Sequence, residues 1–419
     1  MSGAASSVPA VAQRPPMLSL DEALARLLAV VQAPSPDDAE TVSTFDALGR
    51  VLAEDIRSGF DVPPQDNAEM DGYALRAADV PVAGTVLPVS QRIPAGVVGS
   101  ALLPGTAARI FTGAQVPAGA DAVVMQELCA ADGEGVRVDA VPAVGQSIRR
   151  RGEDVRDGRV VLHAGLRLRP QGLGMAASVG AATLQVARRP RVALFSTGDE
   201  LAMPGEPLKP GAIYNSNRFT LRALIESLGA VCTDLGIVED TLAATRDALR
   251  RAAEGNDLIV TCGGVSVGEE DHLKPAVAAE GRIDLWQVAI KPGKPLAFGE
   301  VRRTDASTAH FIGLPGNPVS AFVTFALAVR PVLLRLQGAT DLAPRPIAMR
   351  ADFAWPRPDR RREFMRVRRN AAGGLDLFPN QGSGVLTSTV WADGLVDKPA
   401  GATIARGDRV RFLPFAELM

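Results

Sequence analysis

The chain has 419 residues, of which 47% are hydrophobic, so it is long enough to form several cores in about three or four domains. Its 45 basic and 47 acidic residues give a formal net charge of -2, which favours neither nucleic acid nor an anionic membrane as a partner. The cysteines, Cys129, Cys232 and Cys262, are far apart and odd in number, so we predict a reducing compartment without a disulfide framework or a zinc site.

The first part of the chain is predicted to be irregular and then helical. Residues 1–17 lack the charge and hydropathy pattern of a signal peptide, and their Ser, Ala and Pro content predicts a disordered segment. Apolar residues recur at helical spacing over Ser19–Gln32, with Asp21 and Glu22 in the favourable first turn. We predict a second helix over Ala39–Ala53.

The next segments are predicted to be mainly β-structure. Between residues 55 and 145, short apolar runs separated by Gly and Pro predict a β-rich domain. The stretch Ile148–Val186, with short strands and a small helix after Pro170, is interpreted as a return to the first domain. Beyond residue 344, short β-like runs predict a small all-β terminal domain.

Strands and helices alternate between residues 189 and 338. The predicted strands are Val192–Ser196, Val231–Ile237, Leu258–Thr261, Trp286–Ile290 and a hairpin through Phe311–Gly313, and the predicted helices are Asn217–Leu228, Leu242–Ala253, Asp271–Ala279 and Val319–Leu336. This alternation predicts an α/β domain with an open, mostly parallel sheet covered by helices on both faces. Because Arg330 and Pro331 interrupt the most apolar stretch, we do not expect that stretch to span a bilayer.

Five segments rich in Gly, Lys and acidic residues follow the predicted strands of this domain. They are Ser196–Glu200, Gly236–Asp240, Thr261–Asp271, Lys291–Pro295 and Leu314–Ser320. Ligands bind beyond the carboxyl ends of the strands in open α/β sheets, so we expect these segments to meet at one rim.

Two of these segments are suited to binding an anion. Gly263 and Gly264 allow backbone N–H groups to approach an anion closely. Pro318 is typical of the first turn of a helix, whose free N–H groups, together with Ser320, form a second anion site.

The charged residues of the segments indicate a metal-assisted nucleotide or oxyanion site. Lys291 and Lys294 add two positive charges, and the carboxylates of Glu200, Asp240 and Asp271 are suited to Mg²⁺ held together with substrate phosphates. Structural alternatives remain open: Asp240 could cap the following helix, Glu200 and Asp271 could be solvated loop residues, and the lysines could occupy an exposed turn.

Two further motifs point elsewhere but lack the context that they need. Residues 264–268 match the G-x-S-x-G pattern of serine hydrolases, yet three acidic residues follow where such an enzyme begins an apolar helix. Residues 172–177 match a loose dinucleotide-binding pattern without a preceding strand, and we predict a packing role for them.

Taken together, the motifs strongly resemble the molybdopterin molybdenumtransferase family, which includes MoeA and the gephyrin E domain. The resemblance rests on FSTGDEL (195–201), GGVSVGEED (263–271), IKPGKP (290–295) and GLPGNP (313–318), and extends to NAEMDGYA (67–74), IFTGA (110–114), MQE (125–127) and RRRGED (149–154). It covers roughly residues 17 to 419.

The resemblance implies four domains and a homodimer. It implies an elongated discontinuous domain (18–54 and 146–188), an inserted β-rich domain (55–145), a MogA-like three-layer α/β domain that binds the pterin (189–338) and a C-terminal β-barrel domain (344–419). Asp71, Thr112, Glu127 and Asp154 would help complete the partner's site. From the residues alone these four are turn or loop residues, and Asp71-Gly72 is a good turn dipeptide.

The implied activity is the insertion of molybdate into adenylylated molybdopterin, with release of AMP, by a cytoplasmic transferase. The candidate catalytic residues are Asp71, Glu200, Asp240 and Asp271, of which the last three would hold Mg²⁺. Further candidate substrate contacts are Ser196, Thr197, Gly263, Gly264, Ser266, Pro315, Gly316 and Asn317. Molybdate would lie near Lys291, Lys294, Pro295 and Ser320, with Arg366 and Ser383 added from the tail; alternatively, these last two are a solvated arginine and a turn serine.

Two alternative functions share part of this sequence pattern. The first is a molybdopterin adenylyltransferase of the single-domain MogA type, which the extra domains and the KPGKP loop disfavour. The second is a non-catalytic scaffold, since gephyrin binds receptor segments through the same module, and the three carboxylates disfavour it. The resemblance also implies contacts with the adenylyltransferase and with molybdoenzyme chaperones. Tungstate fits the same prediction, because it is a tetrahedral oxyanion of nearly equal size.

Overall fold

The computed structural model describes residues 17–264 and 272–419. The predicted site residues Ser266 and Asp271 lie outside these ranges, as does almost all of the predicted disordered segment.

The N-terminal part of the chain combines short paired strands with one larger sheet. Its elements are α1 (Leu20–Val30), β1 (Ala39–Ser43), β2 (Ile56–Arg57), β3 (Asn67–Ala68), β4 (Gly72–Leu75), β5 (Thr85–Ile93), β6 (Ala107–Ile110), β7 (Ala122–Met125), β8 (Cys129–Asp132), β9 (Gly135–Val138), β10 (Ile148–Arg149), β11 (Val160–Leu162), α2 (Pro170–Ser178) and β12 (Thr183–Ala187). Strands β4 to β9 form a six-stranded sheet in the order β7-β4-β6-β5-β9-β8. The pairs β1–β12, β2–β11 and β3–β10 join the chain before this sheet to the chain after it.

The predicted second helix over Ala39–Ala53 is wrong. The segment instead forms β1, which pairs with β12, followed by a 3-10 turn over Thr44–Asp46. The β-branched residues Thr41, Val42 and Thr44 favour an extended chain, and Gly49 has a φ of 77°, which no α-helix accommodates. The apolar spacing that resembled a helix reflects burial of this segment against β12 and α2.

The α/β domain alternates strands and helices, as predicted. It contains β13 (Arg191–Thr197), β14 (Leu201–Ala202), β15 (Ile213–Tyr214), α3 (Ser216–Ser227), β16 (Val231–Val238), α4 (Leu242–Ala253), β17 (Leu258–Cys262), α5 (Leu273–Glu280), β18 (Gly281–Gln287), β19 (Ile290–Lys291), β20 (Pro295–Arg302), β21 (Thr308–Leu314), α6 (Pro318–Thr324) and α7 (Arg330–Leu336). The strand predicted at Trp286–Ile290 begins earlier, at Gly281, because pairing with β20 outweighs the low β propensity of its polar residues.

The main sheet has the order β16-β13-β17-β21-β20-β18. Strands β16, β13, β17 and β21 are parallel, whereas β20 is antiparallel to both β21 and β18. Strand β18 therefore runs in the same direction as the four parallel strands, and the carboxyl ends of β13, β16, β17, β18 and β21 lie at one rim. Alternate side chains of β13 pack on opposite faces: Val192 and Leu194 face α3 and the α6–α7 region, and Ala193 and Phe195 face α4 and α5.

The apolar stretch over Pro318–Leu336 is one continuous helix, in agreement with the helix predicted over Val319–Leu336. A π-helical segment, Phe325–Val329, lies between α6 and α7. Its wider turn comes directly before Pro331, whose ring would clash with the carbonyl of Leu327 in a regular α-helix. In the described part of the chain this is the one helix long and apolar enough to cross a membrane, and 89% of its most apolar window is buried inside the fold, as in a core helix.

The C-terminal part is a closed five-stranded barrel. It contains β22 (Ile347–Ala351), β23 (Arg362–Arg369), β24 (Gly374–Leu377), α8 (Thr387–Trp391), β25 (Gly394–Lys398), β26 (Arg409–Pro414) and α9 (Phe415–Leu418). The strands run β23-β24-β22-β26-β25, and β25 pairs back with β23. Strand β19 of the α/β domain adds to β23, so the barrel is hydrogen-bonded to the KPGKP loop. The predicted fold class is confirmed.

Candidate active site

One cleft of about 1000 Å³ lies beyond the carboxyl ends of the main strands, between the α/β domain and the barrel. Residues from all five predicted segments line it. The predicted site residues in its walls are Ser196, Thr197, Glu200, Asp240, Gly263, Gly264, Lys291, Lys294, Pro295, Pro315, Gly316, Asn317, Ser320 and Ser383. The structure thus brings together residues that are almost two hundred positions apart in the sequence.

Glycines form the floor of the cleft because the backbone there leaves no room for side chains. Gly263 has a φ of 98°, and a Cβ at this position would lie 2.8 Å from the carbonyl oxygen of Thr197. Gly264 has a φ of 63°, so both glycines adopt the left-handed region. The floor therefore presents main chain, rather than side chains, to a ligand.

Asn217 and Cys262 support this floor, and sequence reasoning missed Asn217. Its amide nitrogen donates to the carbonyl oxygen of Gly316 at 2.7 Å and to the sulfur of Cys262 at 2.9 Å. Burial raises the pKa of the Cys262 thiol to about 12. The thiol is therefore protonated near neutral pH, which excludes it as a nucleophile.

Two of the three predicted metal-binding carboxylates, Glu200 and Asp240, line the cleft. The N-cap of α4 is Thr241, whose Oγ1 accepts from the amide of Ala244, so Asp240 does not act as that cap. No group of three or more His, Cys, Asp or Glu side chains among residues 17–264 and 272–419 is placed to hold a metal ion. The third predicted ligand, Asp271, lies outside these ranges, and the pair that is described has the hard oxygen donors that Mg²⁺ requires.

The barrel contributes one wall of the cleft through residues 381–384. The carbonyl oxygen of Ser383 accepts from the amide of Val319 at 2.9 Å. One of the N–H groups that we expected to be free at the start of α6 is therefore already bonded to the barrel. Ser320 follows it and is 4% exposed at the edge of the cleft.

Arg366 does not line the cleft, contrary to its predicted position near molybdate. It is 1% exposed, its guanidinium donates to Ser388 and to the carbonyl oxygen of Gly382, and burial lowers its pKa to about 10. It supports the 381–384 wall from behind. Arg361, which sequence reasoning missed, lines the cleft instead. The sequence signal for it is the run of three arginines at residues 360–362. That run does not show which arginine enters the cleft, because the loop geometry decides this.

The four residues predicted to complete the partner's site lie on the N-terminal part and do not line the cleft of their own chain. Asp71 and Thr112 are nevertheless brought together, since the amide and hydroxyl of Thr112 both donate to the Asp71 carboxylate at 2.7 Å. These two hydrogen bonds lower the pKa of the Asp71 carboxyl, and the one from the backbone amide of Thr112 has the larger effect. Glu127 follows the end of β7, which lies next to the start of β4 and therefore near Asp71. The amide of Asp154 donates to the carbonyl oxygen of Val62.

Comparison with known families accounts for nearly the whole chain. A model described as the MoeA N-terminal region (domain I and II) matches residues 18–180, one described as a probable molybdopterin binding domain matches residues 193–335, and one described as the MoeA C-terminal region (domain IV) matches residues 348–415. Together with the cleft, these matches define a multidomain protein built around an α/β domain of the molybdopterin-binding class.

Individual relatives agree with this class. The chain is 37% identical to a molybdopterin molybdenumtransferase from Haemophilus influenzae over 96% of its own length and 100% of that protein, and 39% identical to molybdopterin molybdenumtransferase 2 from Mycobacterium tuberculosis over 86% and 90%. A crystal structure of the molybdopterin biosynthesis MoeA protein from Pyrococcus horikoshii superposes with a TM-score of 0.81 at 30% identity, covering 95% of this chain and all of that one. The chain belongs to the MoeA family of molybdopterin molybdenumtransferases.

Proposed function

We propose that the protein is a molybdopterin molybdenumtransferase of molybdenum cofactor biosynthesis, which inserts molybdate into adenylylated molybdopterin and releases AMP. The observation that carries this proposal is the convergence of all five strand-terminal segments in one cleft. The cleft combines a backbone floor of glycines, cationic side chains and carboxylates, which is the donor set that a pyrophosphate and a small oxyanion need.

The residues of this chain divide into two groups by chemistry. We infer that the phosphates of the adenylylated pterin lie over the floor at Gly263 and Gly264. Molybdate would lie near the predicted residues that line the cleft, which are Lys291, Lys294, Pro295, Ser320 and Ser383. Arg361 lines the cleft as well, with its guanidinium paired to the Asp359 carboxylate at 3.0 Å. Glu200 and Asp240 would hold Mg²⁺ together with phosphate oxygens, and bound Mg²⁺ would offset the charge of the phosphoanhydride. Positioning and electrostatics, rather than a covalent nucleophile, are the contributions of the protein.

Several parts of the proposal rest on the family resemblance. Asp271 and Ser266, outside the described residues, remain predicted contacts of the metal and the substrate. We further propose a cytoplasmic homodimer in which Asp71, Thr112, Glu127 and Asp154 reach the cleft of the partner subunit. The position of the Asp71–Thr112 pair supports this arrangement, because Thr112 is exposed and Asp71 is partly exposed, so that a second chain can reach both side chains.

The test is molybdate-dependent release of AMP from adenylylated molybdopterin by the purified protein. Glu200→Gln should reduce this rate by about 100-fold or more, because it removes one charge from the reacting centre. Asp199→Asn is the matched control, since Asp199 is the adjacent exposed carboxylate on the same loop and does not line the cleft. AMP release that does not depend on molybdate, or an equal loss in both variants, would contradict the proposal.

A further inference from the structure

The barrel holds a buried carboxylate directly behind the KPGKP loop. Glu363 of β23 is 3% exposed and accepts three hydrogen bonds, from Lys291 Nζ at 2.7 Å, Lys398 Nζ at 2.8 Å and Trp355 Nε1 at 3.2 Å. Burial by itself would raise the pKa of Glu363, but its bonds to the two lysines outweigh that effect and lower the pKa. Glu363 is therefore an ionised group whose charge is shared between a buried lysine and a lysine of the cleft.

Lys291 is held by more than one group. Its Nζ also lies 3.4 Å from Asp359 Oδ2, and only 37% of its side chain is exposed. The backbone is fixed as well, because β19 pairs in parallel with β23 and the amide of Arg362 donates to the carbonyl oxygen of Ala289 at 2.9 Å. Lys291 thus faces two carboxylates of the barrel. Glu363 is the closer one, whereas Asp359 is shared with Arg361, whose guanidinium donates to it at 3.0 and 3.1 Å.

Lys294, at the other end of the same loop, is in a different environment. It lines the cleft, and within the described ranges it forms no ion pair. Its carbonyl oxygen accepts from the amide of Val288 at 2.8 Å, which fixes the backbone while leaving the ammonium group to the cleft. The two lysines of KPGKP are therefore not equivalent.

We propose that Glu363 is a positioning residue for the molybdate subsite: it holds the Lys291 ammonium on the barrel, so that Lys291 anchors the loop and Lys294 is the loop's cation for the oxyanion. This inference rests on the proposed function for the identity of the anion. It assigns the barrel an active part in building the cleft, because the anchor of the loop lies on β23 rather than in the α/β domain.

The activity test is a double-mutant cycle that leaves no buried charge unpaired. One arm is Lys291→Met, which leaves Glu363 paired with Lys398. The other arm replaces that buried pair as a unit, Glu363→Gln with Lys398→Met, and leaves Lys291 beside Asp359. The triple variant completes the cycle, and Lys398→Met alone is the control, because it keeps the Glu363–Lys291 contact.

Each arm should raise the KM for molybdate about tenfold and leave the KM for the adenylylated pterin within about twofold, since both arms release the same loop. The triple variant should be no worse than either arm. Lys398→Met alone should stay within about twofold of the unsubstituted protein. If Lys291 binds molybdate independently, the Glu363→Gln arm leaves the KM unchanged or lowers it, whereas Lys291→Met raises it, and the proposal fails.

Amine acetylation of the unsubstituted protein, read by peptide mass spectrometry, tests the same inference without any variant. Lys294 should react faster than Lys291, and molybdate should protect Lys294 alone. Equal reaction rates, or protection of Lys291, would overturn the anchor role. If Lys294 reacts faster than Lys291 but molybdate protects neither lysine, the Glu363–Lys291 ion pair is supported, and the result counts against the proposed function.

Discussion

Asp257 illustrates how a single charged residue secures the α/β domain. It precedes β17, and its carboxylate forms a two-bond pair with the Arg188 guanidinium, at 2.6 and 2.8 Å, while also accepting from the amide of Arg191 at 2.8 Å. It thereby ties the starts of β13 and β17 to the chain that arrives from the N-terminal part. Burial would raise the pKa of Asp257, but these hydrogen bonds outweigh it and the pKa is lowered.

A lowered pKa means that the folded state favours the ionised carboxylate. The stabilisation is therefore complete above the ordinary aspartate pKa of about 4 and is lost as the pH falls through the lowered value. Asp257→Asn should reduce the free energy of unfolding by about 2 kcal/mol at pH 7, in urea titrations, and by progressively less as the pH is lowered below about 4. Asp247→Asn, at a side chain 67% exposed, is the control. If Asp257→Asn lowered the free energy of unfolding by the same amount at every pH, the stabilisation would not come from the ionised carboxylate.

At the scale of elements, α1 supports the cleft from outside the α/β domain. Its buried residues Leu20, Ala23 and Leu27 pack in the same core as Val288 and Ile290, which precede the KPGKP loop. The chain just before the helix is also bonded to this region, since Leu18 exchanges hydrogen bonds with Gln287 and Ala289. A helix near the start of the chain thus packs against the segment that leads into the KPGKP loop.

The N-terminus of α1 is fixed by a capping box. The Ser19 hydroxyl accepts from the amide of Glu22 at 3.2 Å, and the Glu22 carboxylate accepts from the amide of Ser19 at 2.8 Å. Ser19→Ala should lower the free energy of unfolding by about 1 kcal/mol, while Ser19→Thr, which keeps the hydroxyl, should lose less than half of that. Chemical denaturation measures both, and equal losses would show that the cap does not act through the hydroxyl.

At the scale of the whole molecule, the cleft and the Asp71–Thr112 pair are separate in one chain. The cleft is walled by the α/β domain and the barrel, whereas the pair lies where β4 begins and β6 ends, in the six-stranded sheet of the N-terminal part. In the homodimer that we propose, a second copy of the chain unites them, and each site uses residues of both subunits.

Mixing inactive variants tests this arrangement. Asp71→Asn alters the inserted domain and Glu200→Ala alters the cleft, so a heterodimer of the two contains one intact site. Subunit exchange at equal amounts should restore about a quarter of the unsubstituted activity, because half of the dimers are mixed and half of their sites are intact. Glu200→Ala mixed with Asp240→Ala is the control and should stay inactive. Folded dimers without recovery in the first mixture would contradict a shared site.

The sequence by itself determined the order of elements in the α/β domain and the location of the cleft. Strand and helix periods are local, and parallel strands necessarily place their carboxyl ends at one rim, so Glu200, Asp240, Gly263 and Lys294 could be grouped without coordinates. The resemblance to the family could also be recognised without coordinates, since each motif is a short contiguous run.

Only the tertiary structure decided the rest, because these features depend on partners distant in sequence. Residues 39–43 form a strand because β12 pairs with them, and the helix that the sequence predicts over residues 319–336 contains a π-helical segment before Pro331 that the sequence does not reveal. Likewise, only the barrel packed against the α/β domain places Arg361 in the cleft and Arg366 behind it, and pairs Lys291 with Glu363. A side chain's charge can be read from the sequence, but what offsets that charge depends on which distant segment folds beside it.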